Sequence, residues 1–180
     1  MSPHHSGEVV RAASSRSRSR WVVPMVRTTL WWCHPLADSY TAAIAHHLSE
    51  TARSHGPAET IDLYRDDTMP SGGDALVLIH PTWWSAEPAA LLQGMERLPA
   101  SVSYRCVMTF STHGSPRWVN LAEGRNARRN ARRNLTAHVG ARRHKWVALY
   151  AMDRIDDDAR RRHIDTAGRA LSKELRRLRR

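Results

Sequence analysis

Ala75-Leu76-Val77-Leu78-Ile79-His80-Pro81-Thr82-Trp83-Trp84-Ser85-Ala86-Glu87-Pro88-Ala89 is the stretch on which the fold turns. Its first five residues are an unbroken apolar run, too short for a buried helix and right for a buried β-strand. Pro81 and Pro88 then bracket two adjacent tryptophans. Proline fixes φ, so the backbone between the two is stiffened and can be held ready for a partner. In open α/β sheets ligands sit just beyond the carboxyl ends of the strands. A rigid aromatic loop at that place suits a flat heterocycle, and a core-filling tryptophan pair is the other reading of the same residues.

Two further segments repeat the arrangement. Thr28-Thr29-Leu30-Trp31-Trp32-Cys33 reads as a strand, His34-Pro35-Leu36-Ala37-Asp38-Ser39-Tyr40 turns out of it, and Ile44, His47, Leu48 and Ala52 keep a helical spacing. Ser39 or Asp38 is placed to cap that helix. A helix opening directly after a strand presents unpaired N–H groups, a usual seat for phosphate. Ser39 can add a hydroxyl and His34 a hydrogen bond or partial neutralisation, although a plain cap and a plain strand-end histidine fit those two residues as well. Val107-Met108-Thr109-Phe110 reads as another strand end, left through Ser111-Thr112-His113-Gly114-Ser115-Pro116. Its small residues let backbone N–H groups approach a ligand closely. Three loops, each leaving a strand in βαβ-like order, converge on one expected site.

These segments carry a family likeness. The His-Pro-x-x-x-Ser-aromatic run at 34–40, Asp62-Leu63-Tyr64, Pro81-Thr82-Trp83-Trp84 with Pro88-Ala89, Thr112-His113-Gly114-Ser115-Pro116-Arg117-Trp118-Val119-Asn120 and Trp146-Val147-Ala148-Leu149-Tyr150-Ala151-Met152-Asp153 resemble the flavodoxin-like NAD(P)H:quinone oxidoreductases, or NAD(P)H dehydrogenases. The likeness runs from about Val26 to the C-terminus, and the Pro-x-Trp-Trp-x3-Pro-Ala spacing is its most specific part. It implies a three-layer α/β domain, a five-stranded parallel sheet of order 2-1-3-4-5 with helices on both faces. The strands are expected near 27–33, 59–64, 74–79, 104–110 and 144–150. It also implies a bound flavin, FMN or FAD, and NAD(P)H as electron donor. His34, Ser39, Tyr40 and Thr41 would serve the phosphate and ribityl chain. Pro81, Thr82, Trp83 and Trp84 would lie along the isoalloxazine, and Ser111, Thr112 and Gly114 would reach its pyrimidine edge. Hydride would pass in ping-pong order from NAD(P)H to the flavin and then to a quinone or similar acceptor. Reduction leaves negative charge near the N1–C2 edge, and His113 is the candidate catalytic residue to balance it. A homodimer in the cytoplasm is the implied setting. The chain departs from the family in having His113 where many members have glycine. It is also short between Tyr64 and Asp74 and between Leu98 and Tyr104, which opens the substrate pocket.

Composition sets the remaining bounds. The chain has 180 residues and a formal net charge of +11, from 28 Lys+Arg against 17 Asp+Glu. One core is expected over 25–180. Residues 1–24 hold Ser14-Ser15-Arg16-Ser17-Arg18-Ser19-Arg20, show no apolar periodicity, and read as a disordered basic tail rather than a signal peptide. No apolar run is long enough to span a bilayer. Cys33 and Cys106 fall on strands two apart in the expected order, roughly 10 Å against a ~7 Å disulfide limit, so both are expected free, as in a reducing cytoplasm. The 11 histidines show no HExxH or comparable metal spacing. The charge supports a different function class. Asn126-Ala127-Arg128-Arg129-Asn130-Ala131-Arg132-Arg133-Asn134 would, as a helix, align Ala127, Ala131 and Leu135 inward and turn its arginines out. That face could be a solvated surface, a nucleic-acid contact, or the seat of an NADPH 2′-phosphate. A basic nucleic-acid-binding protein and a non-catalytic flavin-binding accessory protein are therefore the two alternatives to the oxidoreductase. Asp156–Asp158 and the terminal arginines, matched to the helix dipole, bound a final structural helix.

Overall fold

Parallel pairing organises the chain. The computed structural model describes residues 25–180 apart from Ser85, Glu123 and Arg125, with the backbone alone for Asn126, Ala127 and Asn134. The tail expected over 1–24 lies outside the described residues. Five strands, β1 (Thr28–Trp32), β2 (Ala58–Asp62), β3 (Gly73–Thr82), β4 (Tyr104–His113) and β5 (Arg143–Leu149), form one sheet in the order β2-β1-β3-β4-β5. Every pairing is parallel. This is the flavodoxin-like order read from the sequence.

Alternation along the strands makes two cores. Leu30, Val77, Ile79, Met108 and Phe110 face α1 (Tyr40–Arg53) and the C-terminal helix. Trp31, Leu76, Leu78 and Val107 face α2 (Ala89–Arg97) and the arginine-rich segment. Helix α3 (Arg117–Ala122) leads into that segment, which runs as α4 (Asn126–Asn130), a π turn (Ala131–Leu135) and α5 (Thr136–His138). The last helix, α6 (Asp157–Leu178), is capped by Asp156, whose carboxylate accepts from Ala159 N–H at 2.6 Å. It buries Ala167, Leu171, Leu175 and Leu178 along one stripe, with Ile164 half-buried at its start. Among the described residues no helix is long and apolar enough to cross a membrane.

Two local expectations change, and the short connection after β2 is accounted for. β3 and β4 each continue three residues beyond the predicted 74–79 and 104–110, pairing through Thr82↔His113. Proline is tolerated there for a specific reason. Ile79 O, which accepts from Cys33 N–H at 2.9 Å, faces β1. Pro81 faces the same side two residues on, where β1 has already ended, so its missing N–H breaks no ladder. The arginine-rich segment is not one regular α-helix. Ala131 and Leu135 are buried as expected, but the wide turn adds Thr136 to the buried side, its hydroxyl bonded to Ala131 O at 3.3 Å. Finally, the helix-free connection from β2 to β3 is covered by α2. Gly94 allows this approach, since a Cβ there would lie 3.2 Å from Leu63 Cδ2 and 3.4 Å from Trp31 Cζ3. Cys33 and Cys106 are free and sit in opposite cores, a stronger bar to pairing than strand spacing alone.

Candidate functional site

The carboxyl ends of β1, β3, β4 and β5 surround one cleft of about 670 Å³, within the range of small-molecule sites. Its first wall is the loop from β1 into α1. Ser39 Oγ accepts from Ala42 N–H at 3.2 Å, so the expected cap is formed. The hydroxyl proton and the N–H groups of Tyr40 and Thr41, which have no acceptor within the helix, are left for a ligand. No acidic residue lies in the first turn of α1 to oppose an anion. His34 Nδ1 lies 3.1 Å from Leu36 N and 3.3 Å from Leu36 O, which ties the ring to its own turn, and the ring stands 5.9 Å from that of Trp83. Tyr40 Oη donates to Arg160 O at 2.8 Å and lies 3.0 Å from His163 Nδ1. Burial pushes the Tyr40 phenol up to about 12, so it stays neutral.

The second wall is the lip after β3, where Pro81, Thr82, Trp83 and Trp84 line the cleft. Trp83 and Ala86 exchange both backbone hydrogen bonds, at 3.1 and 2.9 Å, closing a tight turn. Trp84 occupies this turn at φ 52°, a left-handed conformation that costs a bulky L-residue about 1–2 kcal/mol. Its side chain is 101% exposed and that of Trp83 41%. Packing does not explain this pair, and the core-filling reading of the two tryptophans fails.

The third wall comes from β4. Thr112, His113 and Gly114 line the cleft, and Ser111 does not. Ser111 is buried one step behind, its Oγ 3.0 Å from His113 Nε2. Asn120 Nδ2 lies 3.3 Å from His113 Nδ1, and the ring stacks on Tyr150 at 4.8 Å. The amide nitrogen can only donate, so Nδ1 is the acceptor in this contact and Nε2 faces the Ser111 hydroxyl. A Cβ on Gly114 would lie 2.8 Å from Asp153 Oδ2, so glycine keeps this end of the cleft open.

All the residues expected from the sequence except Ser111 are brought together. Ser115, Asn120, Met152 and Asp153 were missed and also line the cleft. Met152 and Asp153 follow β5, fixed by the Ala151 N–H bond to Ser115 O at 3.0 Å. The rule that sites lie beyond strand carboxyl ends applies to that loop as well and would have found it. Asn120 had no signal of its own, since only the fold carries α3 back to His113. Behind the cleft His80 is fully buried, and burial holds its imidazole down to about 4.

The donor set suits a ligand with an anion at one end and a planar ring at the other. The anion would meet the α1 N-terminus and Ser39, and the ring the tryptophan lip and the amides leaving β4. A flavin has that shape, and the first turn of α1, which would meet its phosphate, carries no acidic residue.

No protein-family model and no curated protein sequence matches this chain. Solved structures do. An NAD(P)H:quinone oxidoreductase from Methanothermobacter marburgensis superposes with a TM-score of 0.70 at 19% identity, over 83% of this chain and 96% of its own. An NADPH-quinone reductase from P. pentosaceus gives 0.62 at 14% identity, over 82% and 98%. An FMN-dependent NADH-azoreductase from Bacillus anthracis, in complex with FMN, gives 0.61 at 12% identity, over 87% and 100%. The fold is flavodoxin-like.

Proposed function

We propose that this chain is a flavin-dependent NAD(P)H oxidoreductase acting on a quinone or similar acceptor. The observation that carries the reading is the meeting of three strand-end loops on one cleft, with a helix N-terminus at one end and an exposed tryptophan lip at the other. Oxidoreductases of this class among the solved structures of the same fold support it. When bound, the flavin would supply the two-electron chemistry, taking hydride from NAD(P)H and passing it to the acceptor after the nicotinamide leaves. The protein's part is to hold and tune it. Ser39, with the Tyr40 and Thr41 amides, would hold the phosphate, with His34 beside it. Trp83 and Trp84 wall the ring against water, and the exit of β4 presents Thr112 and Gly114 to its edge. His113 is the group proposed to balance negative charge there. Its Nδ1 accepts from Asn120 in the resting network, so taking up a proton would require the amide to turn away.

The exposed apolar residues Leu36, Tyr64, Trp83, Trp84, Trp118 and Leu121 lie on the loops and the helix that leave the strands' carboxyl ends. A second copy of the chain covering this rim is the proposed quaternary arrangement, to be read by sedimentation equilibrium.

The test of function is the visible spectrum of the purified protein, the released flavin identified after heating, and anaerobic addition of NADPH. A yellow protein bleached by NADPH and recoloured by quinone is expected. A yellow protein that NADPH fails to bleach would make it an accessory flavin binder. A colourless protein that takes up neither FMN nor FAD would end the proposal.

A further inference from the structure

The flavin cleft leaves most of the chain's positive charge unused, and much of that charge follows the free edge of the sheet. β5 is an edge strand, and three clefts succeed one another along it. The first, about 70 Å³, is lined by Arg117, Arg128 and Tyr150. The second, about 420 Å³, adds Arg132, Arg142, Lys145 and Trp146 to Arg128. The third, about 460 Å³, continues from Arg142 and Arg143 to Arg105 and Arg177. Shared arginines join each cleft to the next, so the three form one furrow about as long as β5, whose 7 residues span roughly 23 Å.

The cations in it fall into two groups. Arg143 and Arg177 bind the buried Glu174 at 2.7 and 3.5 Å, and Arg105 binds Asp74 at 3.1 Å. These are structural, because Glu174 would otherwise be a buried unpaired charge. Arg117, Arg128, Arg132, Arg142 and Lys145 have no ion pair among the described residues. Arg129 and Arg133 stand exposed beside them. Midway lies Trp146, half-buried, its indole N–H turned inward and without an acceptor among the described residues. Next to it burial, then Arg128 and Arg132, hold His144 down to about 4, so the two guanidinium groups project their field into the furrow.

We propose that this furrow binds the phosphodiester backbone of a single-stranded nucleic acid. Unpaired cations along a narrow groove with an aromatic side chain within it are what a single strand needs. The run of charge through three clefts exceeds one mononucleotide, and a concave furrow does not fit a lipid surface. The furrow adjoins the flavin cleft, Asn120 lining both, but its cations lie outside that cleft and the proposal does not depend on that reading.

Fluorescence anisotropy of the full chain with labelled 20-nucleotide RNA and DNA single strands, between 50 and 200 mM salt, tests it. Five free cations and a slope of about −0.7 per contact predict a total slope near −3.5, roughly a hundredfold loss over that range. Arg128→Ala/Arg132→Ala should flatten the slope by about 1.4 and weaken binding at least tenfold. Arg162→Ala/Arg169→Ala, the same charge change on the exposed face of α6, should alter it less than twofold. Preference for RNA or for DNA identifies the source of the strand, and either supports the site. Equal losses in the two double variants, or duplex bound as tightly as single strands, overturn it. So does tighter competition by an acidic peptide than by unlabelled oligonucleotide.

Discussion

Ser39→Asp separates a helix cap from a phosphate site. In the folded chain Ser39 Oγ caps Ala42 N–H at 3.2 Å, and aspartate caps about as well as serine. A carboxylate at the N-terminus of α1 also gains about 0.3–1 kcal/mol from the helix dipole. Stability should therefore hold or rise slightly. The ligand meets the opposite effect, because the new charge stands where the phosphate would sit. Two unit charges 4 Å apart repel by about 4 kcal/mol at the effective dielectric of a protein surface. Ser39 is partly exposed, and screening reduces this to about 1.5–3 kcal/mol, or ten- to hundredfold in affinity. Fluorescence titration of the variant with FMN and, separately, with riboflavin gives the readout, alongside thermal unfolding. FMN affinity should fall by that factor while riboflavin, which has no phosphate, changes less than threefold. Equal weakening of both ligands, or none of FMN, would refute the phosphate assignment even if the protein binds flavin.

Trp84→Gly should raise Tm by about 2–4 °C, because relief of the φ 52° conformation is worth about 1 kcal/mol and the exposed side chain buries nothing. NAD(P)H:quinone turnover should fall in the same variant, and a lowered Tm would show that the indole packs after all. Acid should destabilise the fold through His80 and His144, both held down to about 4. Their unfolded values lie near 6.5, so the unfolded chain binds more protons between those limits, and stability present above pH 6.5 is lost as pH falls toward 4. The slope is about 1.4 kcal/mol per pH unit for the fully buried His80 and less for His144; urea unfolding at pH 7, 6 and 5 measures it, and His144→Gln should reduce it. Cys33 and Cys106, buried and pushed up to about 12 mainly by burial, should ignore Ellman's reagent in the native protein and both react once it is unfolded.

What the sequence revealed of the fold came from residues whose local signal and tertiary fate agree. Ala75–Ile79 is apolar throughout because both faces of β3 are covered, and Ser39 caps in the chain as it does in the sequence. The ends of β3 and β4 were illegible because proline and hydroxyl residues read as loop. Whether Pro81 can stay in a strand depends on where β1 stops, and only the assembled sheet decides that. The cleft was legible where loops leave strands with unusual chemistry, as at Trp83-Trp84. It was not where a residue arrives from elsewhere, as Asn120 does, or where a hydroxyl turns inward, as Ser111 does. The π turn is silent in a run of Asn-Ala-Arg-Arg repeats, because an extra residue in one turn changes no composition.

The lip that holds the tryptophans also decides how this molecule treats its own copies in concentrated solution. Beyond Ile79, β3 outruns β1 and would offer a bare strand margin, the kind onto which a stray segment can add and start a fibril. That margin gives such a segment nothing to hold. Pro81 has no amide hydrogen, and its carbonyl lies 2.9 Å from His80 Nδ1. The amide and carbonyl of Trp83 are both spent on Ala86. A ligand cleft must stay open at its mouth, and here the strand margin beside that mouth offers no backbone pair for β-addition.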